Sequence, residues 1–453
     1  MLKLTKKAWP ALALTLAVSA SSLLSVGQAS TAYAAGPEKK EIKNIIFLIG
    51  DGMGTTYTSA YRYMKDNPST KMMEKTVFDP YLVGAQMTYP DDDKQNVTDS
   101  ASAATAMSSG VKTYNAAIAV DTHQKSVKTV LEQAKQIGKS TGLVATSEIT
   151  HATPAAFGAH DISRKNMDAI ANDYFDEMIN GKHKVDVLLG GGKTNFVRKD
   201  RDLTKEFQKA GYSYVTDRAS LLANKNKQVL GLFADGGLDK YIDRTNATPS
   251  LAEMTNSAID RLKTNKNGFF LMVEGSQIDW AGHDNDIVGA MSEMEDFAKA
   301  FKAAIDFAKK DGHTLVVATA DHSTGGLTLG KDGEYNFFVD PIKAATRTPD
   351  FMAAQIAKGA SVEETLKKYL KLKLTTEEIQ SVKDAAQSTD VTEIDNAIEA
   401  IINNRSFTGW TTGGHTGEDV PVYAYGPGSD RFSGLIDNTD NAKVIFDILK
   451  KAK

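Results

Sequence analysis

Three apolar runs in this chain end on an acid: "IIFLIGD" at Asp51, "FFLMVE" at Glu274 and "TLVVATAD" at Asp321. One acid at a strand end is unremarkable, because loops begin there. Three of them on one sheet edge would repel each other unless a cation lay between them. Histidines stand close by. His322 follows Asp321 directly, "EGSQIDWAGH" holds Glu274, Asp279 and His283, and "GGHTGED" presents His415 from a glycine-rich loop. Asp279 and His283 are one helical turn apart, so a helix would aim both at one ion. An Asp and His set with no thiol suits zinc, whereas Glu and Thr oxygens suit magnesium. Ligands enough for more than one ion point to the paired-metal clamp used in phosphoryl transfer.

Two further residues fit that chemistry. Ser100 opens the alanine-rich stretch "DSASAATAMSSG", which reads as a helix start. Free amides and the helix dipole favour an anion there, and a metal could activate the hydroxyl. Read locally, a plain N-cap by Ser100 or Asp99 explains the stretch equally well. Arg164, in "SRK", carries a planar fork that matches two phosphate oxygens, although a solvated arginine is the simpler local reading. His123, His160, His183 and His313 lack acidic company in the sequence and are assigned structural roles.

These residues need a scaffold, and the chain supplies a repeating one. Continuous apolar runs occur at 44–52, 141–147, 185–192, 229–237, 269–275, 314–322 and 420–428. Unbroken rather than alternating apolarity fits strands covered on both faces. Helical periodicity lies between them, at 127–137 before Gly138 and at 291–308 before Gly312. The alternation predicts an α/β fold: a large, mostly parallel sheet flanked by helices on both faces. Residues 330–405 break the rhythm. They are helical in pattern, contain a capping-box-like "SVEE" at 361–364, and read as a helical cap insertion between sheet segments. Two mimics fail: "GKSTG" at 138–142 runs from helix to strand, the reverse of a nucleophile elbow, and "GDGMGT" at 50–55 lacks the third glycine of a dinucleotide loop.

Whole-chain properties narrow the class. The 453 residues are 41% hydrophobic and 24% charged, ordinary for a soluble globular protein. Residues 1–34 have a lysine-bearing start, a short apolar centre and small residues at Ala32 and Ala34, which predicts an export signal cleaved after Ala34. Its loss removes three lysines and no acid, taking the formal charge from −4 to −7. An acidic exported chain is a poor nucleic-acid binder, and its apolar centre is too short to remain as a membrane span. There is no cysteine, so stability rests on core burial and bound metal rather than disulfides.

At this point the motifs carry a family. "VTDSASAAT" resembles the signature of alkaline phosphatases, with Ser100 at the position of the phosphorylated serine, and the other motifs follow in family order. The resemblance runs from about residue 41 to the C-terminus, thinning in 330–405, and is Bacillus-like rather than enteric in type. It implies one zinc on Asp279, His283 and His415, and a second on Asp51, Asp321 and His322. It also implies a magnesium on Asp51, Thr153 and Glu274, and Arg164 on the substrate phosphate. The fold implied is that of an alkaline phosphatase, with 35–453 as a single domain. Small phosphomonoesters and inorganic phosphate are the implied partners, and the family is commonly dimeric. Three departures stand out. His151 replaces an aspartate of the enteric type, which implies a third site less selective for magnesium with His151 acting through water. Trp280 replaces a lysine of that type, and its disulfides are missing. The reading is thus an exported phosphomonoesterase, secreted, periplasmic or wall-associated, working through a phosphoserine. Its rivals are a phosphodiesterase of the same superfamily and a non-catalytic metal- or phosphate-binding protein.

Overall fold

All seven residues of strand β1 (Asn44–Gly50) are buried, and its side chains divide between two cores. Ile46 and Leu48 join one apolar cluster; Ile45, Phe47 and Ile49 join the other. A strand covered on both faces must be apolar throughout, which is why its sequence shows no alternation. The structure, a computed structural model, describes residues 41–388 and 390–451; the expected signal at 1–34 lies outside them.

Nine more strands join β1: β2 (Leu82–Met87), β3 (Ser140–Glu148), β4 (Val187–Gly191), β5 (Ser213–Val215), β6 (Val229–Leu232), β7 (Phe269–Gly275), β8 (Thr314–Thr319), β9 (Val420–Tyr425) and β10 (Gly434–Asp437). They form one 10-stranded sheet in the order β10-β2-β9-β8-β1-β7-β3-β4-β6-β5. Every pairing is parallel except those of β9, which runs antiparallel to both β8 and β2. The seven apolar runs all contain strands. β2, β5 and β10 were not expected; β2 is mostly half-buried, and β5 and β10 have only three and four residues.

The helices end where the sequence provides stops. The long helix Ile287–Asp311 begins at Asp286, whose side chain accepts from the Val288 amide, and ends at Gly312 with φ 73°. Helix Val130–Gln136 starts with a full capping box between Thr129 and Glu132. At Ser361 only half the expected box forms: the serine accepts from the Glu364 amide, without the return bond. Between the paired segments Thr328–Leu329 and Thr408–Gly409 lie the helices Asp340–Lys343, Pro349–Ala357, Val362–Tyr369, Thr376–Ala385 and Val391–Ser406. The chain therefore leaves and re-enters the sheet region at one short ladder. Among the described residues, no helix is long and apolar enough to cross a membrane.

Candidate active site

Parallel strands deliver the three strand-end acids to one edge. Asp51 directly follows β1, Glu274 is the penultimate residue of β7, and Asp321 lies just past β8; all three are fully buried. β2 points the same way and leads to helix Ser100–Ser109. His415 precedes its strand, which would place it on the opposite edge of an all-parallel sheet. The antiparallel direction of β9 brings it back. Its loop then pairs with the segment after His322, setting His415 opposite Thr324.

The structure decides which residue caps the serine helix. Asp99 Oδ1 accepts from the Ser102 amide at 2.9 Å, and Asp99 Oδ2 accepts from the Ala116 amide and from Arg164 Nη1, each at 3.0 Å. With the capping role filled, the Ser100 hydroxyl turns inward, 3.2 Å from Nε2 of His322. Burial opposes ionisation of Asp99, but Arg164 and the two amides outweigh it and lower its pKa. Asp99→Ala is expected to cost about 1 kcal/mol of unfolding free energy through the lost cap. Asp99→Asn, which keeps an acceptor, should cost less; urea unfolding of the two variants checks this.

Three groups of donor atoms gather at this edge. Asp279, His283 and His415 form the first, Asp51, Asp321 and His322 the second, and Asp51, Glu274 and His151 the third. In the first, His283 Nε2 lies 3.3 Å from Asp279 Oδ2 and 3.1 Å from His415 Nε2, which is 3.6 Å from Asp279 Oδ1. In the second, His322 Nε2 lies 3.4 Å from an oxygen of Asp51 and 3.4 Å from one of Asp321. Ligands on one tetrahedral zinc sit roughly 3.3–3.5 Å apart, given bond lengths near 2.0–2.1 Å. The distances in both groups lie within a few tenths of an ångström of that spacing. In the third, an imidazole nitrogen of His151 lies within 4.8 Å of an oxygen of each carboxylate.

The surrounding bonds turn each imidazole the same way. Nδ1–H of His283 donates to the Gly413 carbonyl at 2.7 Å, and that of His415 to the Thr98 carbonyl at 2.8 Å. Thr324 Oγ1 lies 3.2 Å from Nδ1 of His322 and also donates to Asp279. All three Nε2 atoms are thereby left facing the acids, as ligand imidazoles are held by outer partners. Sequence reasoning passed over Thr324, although it sits inside the motif that supplied Asp321 and His322.

Electrostatics call for positive charge. Both oxygens of Asp51, Oδ2 of Asp321, Oε1 of Glu274, Oγ1 of Thr153 and Nδ1 of His151 are buried without hydrogen-bond partners among the described residues. Burial, then Asp321, Asp279 and Glu274, pushes Asp51 well above the carboxylate range. Burial pushes Glu274 up to about 7, and burial with Asp279 pushes Asp321 up to about 6. Burial also acts on Asp279, but His283, His322 and His415 outweigh it and hold that group below its usual range. Burial lowers His322 to about 4 and, with His322 beside it, His415 to about 4. Burial, then Arg164, lowers His151 to about 3. Neutral imidazoles are the metal-binding form, and a divalent ion would neutralise the crowded acids. His283 is the exception, raised to about 9 by its hydrogen bond to Asp279; its side chain is 41% exposed and marks the open end of the site.

Arg164 joins the site through Asp99 and through His151, its Nη2 lying 3.0 Å from the imidazole Nε2. The histidines assigned structural roles lie elsewhere, with one correction. His160 does have acidic company: Glu132 at 3.7 Å and Glu177 at 3.6 Å. Lys184 bonds to the same two acids, so that group already holds its cation. Residues 132 and 177 are too far from 160 in sequence for spacing to have revealed it.

The chain as a whole is similar to known proteins. The family described as alkaline phosphatase matches residues 42–451. Alkaline phosphatase 3 of Bacillus subtilis (strain 168) is 69% identical over 99% of this chain and 98% of its own length. The crystal structure of a cold-active alkaline phosphatase from the psychrophile Shewanella sp. is 42% identical, covers 90% of this chain and 99% of that one, and superposes with a TM-score of 0.85. A variant of the alkaline phosphatase from TAB5, described with Mg bound in its M3 site, is 33% identical, covers 91% of this chain and 99% of that one, and gives a TM-score of 0.67. With strand-end acids, placed histidines and near end-to-end similarity all in agreement, the chain belongs to the alkaline phosphatase family of phosphoric monoester hydrolases.

Proposed function

We propose that this phosphomonoesterase works through a phosphoserine on Ser100, with zinc at the first and second donor groups and magnesium at the third. The observation that carries the reading is the place of the Ser100 oxygen. It stands 3.2 Å from the nitrogen that His322 turns toward Asp51 and Asp321. That is the spacing of atoms sharing one ion, at the amino end of a helix whose cap is another residue. The partnerless buried oxygens of Asp51, Asp321, Glu274 and Thr153 fit bound cations. When present, the ions neutralise these acids, ease ionisation of the attacking hydroxyl and of water, and stabilise the departing alkoxide.

The chain's own residues do the rest. Arg164 holds two phosphate oxygens, with Asp99 fixing one arm of its guanidinium. Ser100 Oγ attacks phosphorus and forms the phosphoserine while the alcohol leaves toward the Asp279, His283 and His415 side. Water then cleaves the ester and frees inorganic phosphate. A cleft of about 470 Å³, whose lining includes Lys94, Gln95, Asn96 and Asn115, shares Asp99 and His415 with the site. Its mixed polar lining suits a loosely specified alcohol.

The same reading takes residues 1–34 as a signal that sends the enzyme to a secreted, periplasmic or wall-associated location. It takes 35–453 as a single domain with 330–405 as its helical cap, and the family's habit supports a homodimer. Arg164→Ala is expected to raise the inhibition constant of inorganic phosphate roughly tenfold to a hundredfold, the worth of a charged hydrogen-bond pair, with metal content unchanged. The deciding experiment compares turnover of an aryl phosphomonoester and the matching diester by zinc- and magnesium-loaded protein, with acid quench and peptide mapping of trapped phosphate. Monoester preference with label on Ser100 supports the reading; label elsewhere, or faster diester turnover, overturns it.

A further inference from the structure

A second cluster of acids begins at Asp284, next to His283 in the chain, and shares no member with the three donor groups. Oxygens of Asp284, Asp350 and Asp395 all lie within 4.8 Å of one another. They come from distant places. Asp284 directly follows the helix Gln277–His283, Asp350 sits in the first turn of Pro349–Ala357, and Asp395 lies on Val391–Ser406. Two more acids face the group: Glu399, one turn beyond Asp395, and Asp286, the cap of the long helix Ile287–Asp311.

Their surroundings do not satisfy them. Asp395, Glu399 and Asp286 are 2%, 4% and 1% exposed. Asp395 Oδ1, Glu399 Oε1 and Asp286 Oδ2 have no hydrogen-bond partner among the described residues. The second oxygen of Asp286 is occupied, accepting from the Val288 amide at 2.8 Å. Lys240 is the cation that reaches the group, with Nζ 3.6 Å from Asp350 Oδ2. One ammonium against five carboxylates leaves a large deficit in a buried place, which burial makes expensive. Burial, then Asp350, holds Asp395 up at about 9, and burial, then Asp286, holds Glu399 up at about 11. The side chain of Asp350 is 50% exposed and leaves one corner open to solvent.

We propose that Asp284, Asp350 and Asp395, supported by Asp286 and Glu399, bind a calcium ion that ties the inserted helices to the segment carrying His283. The donors are all oxygens, with no imidazole or thiol, which argues against zinc. Carboxylates from three separate segments form an irregular cage, and calcium accepts six to eight oxygens at about 2.3–2.6 Å in flexible geometry. Magnesium demands a near-ideal octahedron and keeps its waters. The ion would be structural: none of these five acids belongs to the three donor groups.

The test uses the full protein loaded with zinc and magnesium, freed of calcium, and then titrated with calcium under a constant excess of magnesium. Equilibrium dialysis with radioactive calcium should show one equivalent per chain, with a rise in melting temperature. Asp350→Asn, at the exposed corner, should weaken that binding at least tenfold while leaving monoester turnover at saturating zinc and magnesium unchanged. The double variant D395N/E399Q should lose the equivalent. Absence of calcium binding in the parent protein overturns the proposal, as does unchanged affinity in Asp350→Asn, which serves even if the buried double variant does not fold. Because zinc and magnesium content are measured in the same samples, failure here is distinguishable from failure of the catalytic reading.

Discussion

Ser100→Ala is expected to abolish turnover of an aryl phosphomonoester, lowering kcat by at least about a thousandfold, the scale on which an enzyme loses a covalent nucleophile. The substitution removes one oxygen from a residue that is 1% exposed. It leaves the helix cap in place, because the cap is Asp99. It also leaves Asp51, Asp321 and His322 untouched, so metal content and melting temperature should stay near those of the parent. Stopped-flow release of the aryl alcohol, metal analysis and thermal unfolding read the three quantities. Retention of full turnover by a correctly loaded Ser100→Ala protein would sink the phosphoserine mechanism.

Asp51→Asn should have a different signature. Asp51 belongs to both the second and the third donor groups, and neither of its oxygens has a hydrogen-bond partner among the described residues. Removing its charge therefore weakens two sites at once, whereas His415→Gln weakens only the first. Elemental analysis should show Asp51→Asn losing two of the three ions and His415→Gln losing one. Activity should fall at least about a hundredfold in Asp51→Asn, as when a preorganised charge is removed from a reaction centre. Stability should follow the ions, since a ligand held at a thousand times its Kd contributes about 4 kcal/mol to the folded state. Chelation, which strips every ion, should lower the parent protein's melting temperature at least as far. Returning zinc and magnesium should rescue the parent and leave Asp51→Asn inactive. A variant that kept all its ions would remove Asp51 from its bridging place.

The parts of this protein that were legible in the sequence are those whose cause is local. Seven strands announce themselves because burial on two faces demands unbroken apolarity, as in "NIIFLIG". Asp279 and His283 declare their pairing through one helical turn. What escaped is settled by tertiary contacts. β2 is half-buried, so Leu82–Met87 carries no pattern to read, yet it delivers Ser100. The antiparallel sense of β9 leaves no mark on its composition, because a strand buried on both faces is apolar in either direction. Asp99 and Ser100 compete as caps on equal terms in the sequence. The hydrogen bonds of Asp99 to Ser102, Ala116 and Arg164 decide between them. The acids at 284, 350 and 395 are scattered over three helical segments, and only the folded insertion brings them together.

The reversed strand β9 also sets a timetable. His415 is held by the carbonyl of Thr98, 317 positions earlier, and meets His283 from 132 positions away. Closing such long loops carries an entropic cost before any contact repays it, so pairings of this kind form slowly. Until β9 has inserted between β8 and β2, the first donor group lacks one of its three members. The free energy of binding an ion at the first group is thus fully available only to a chain whose segment around His415 has docked. On the proposed metal assignment, a zinc ion at that group would act as a latch on completed folding rather than as a nucleus for it.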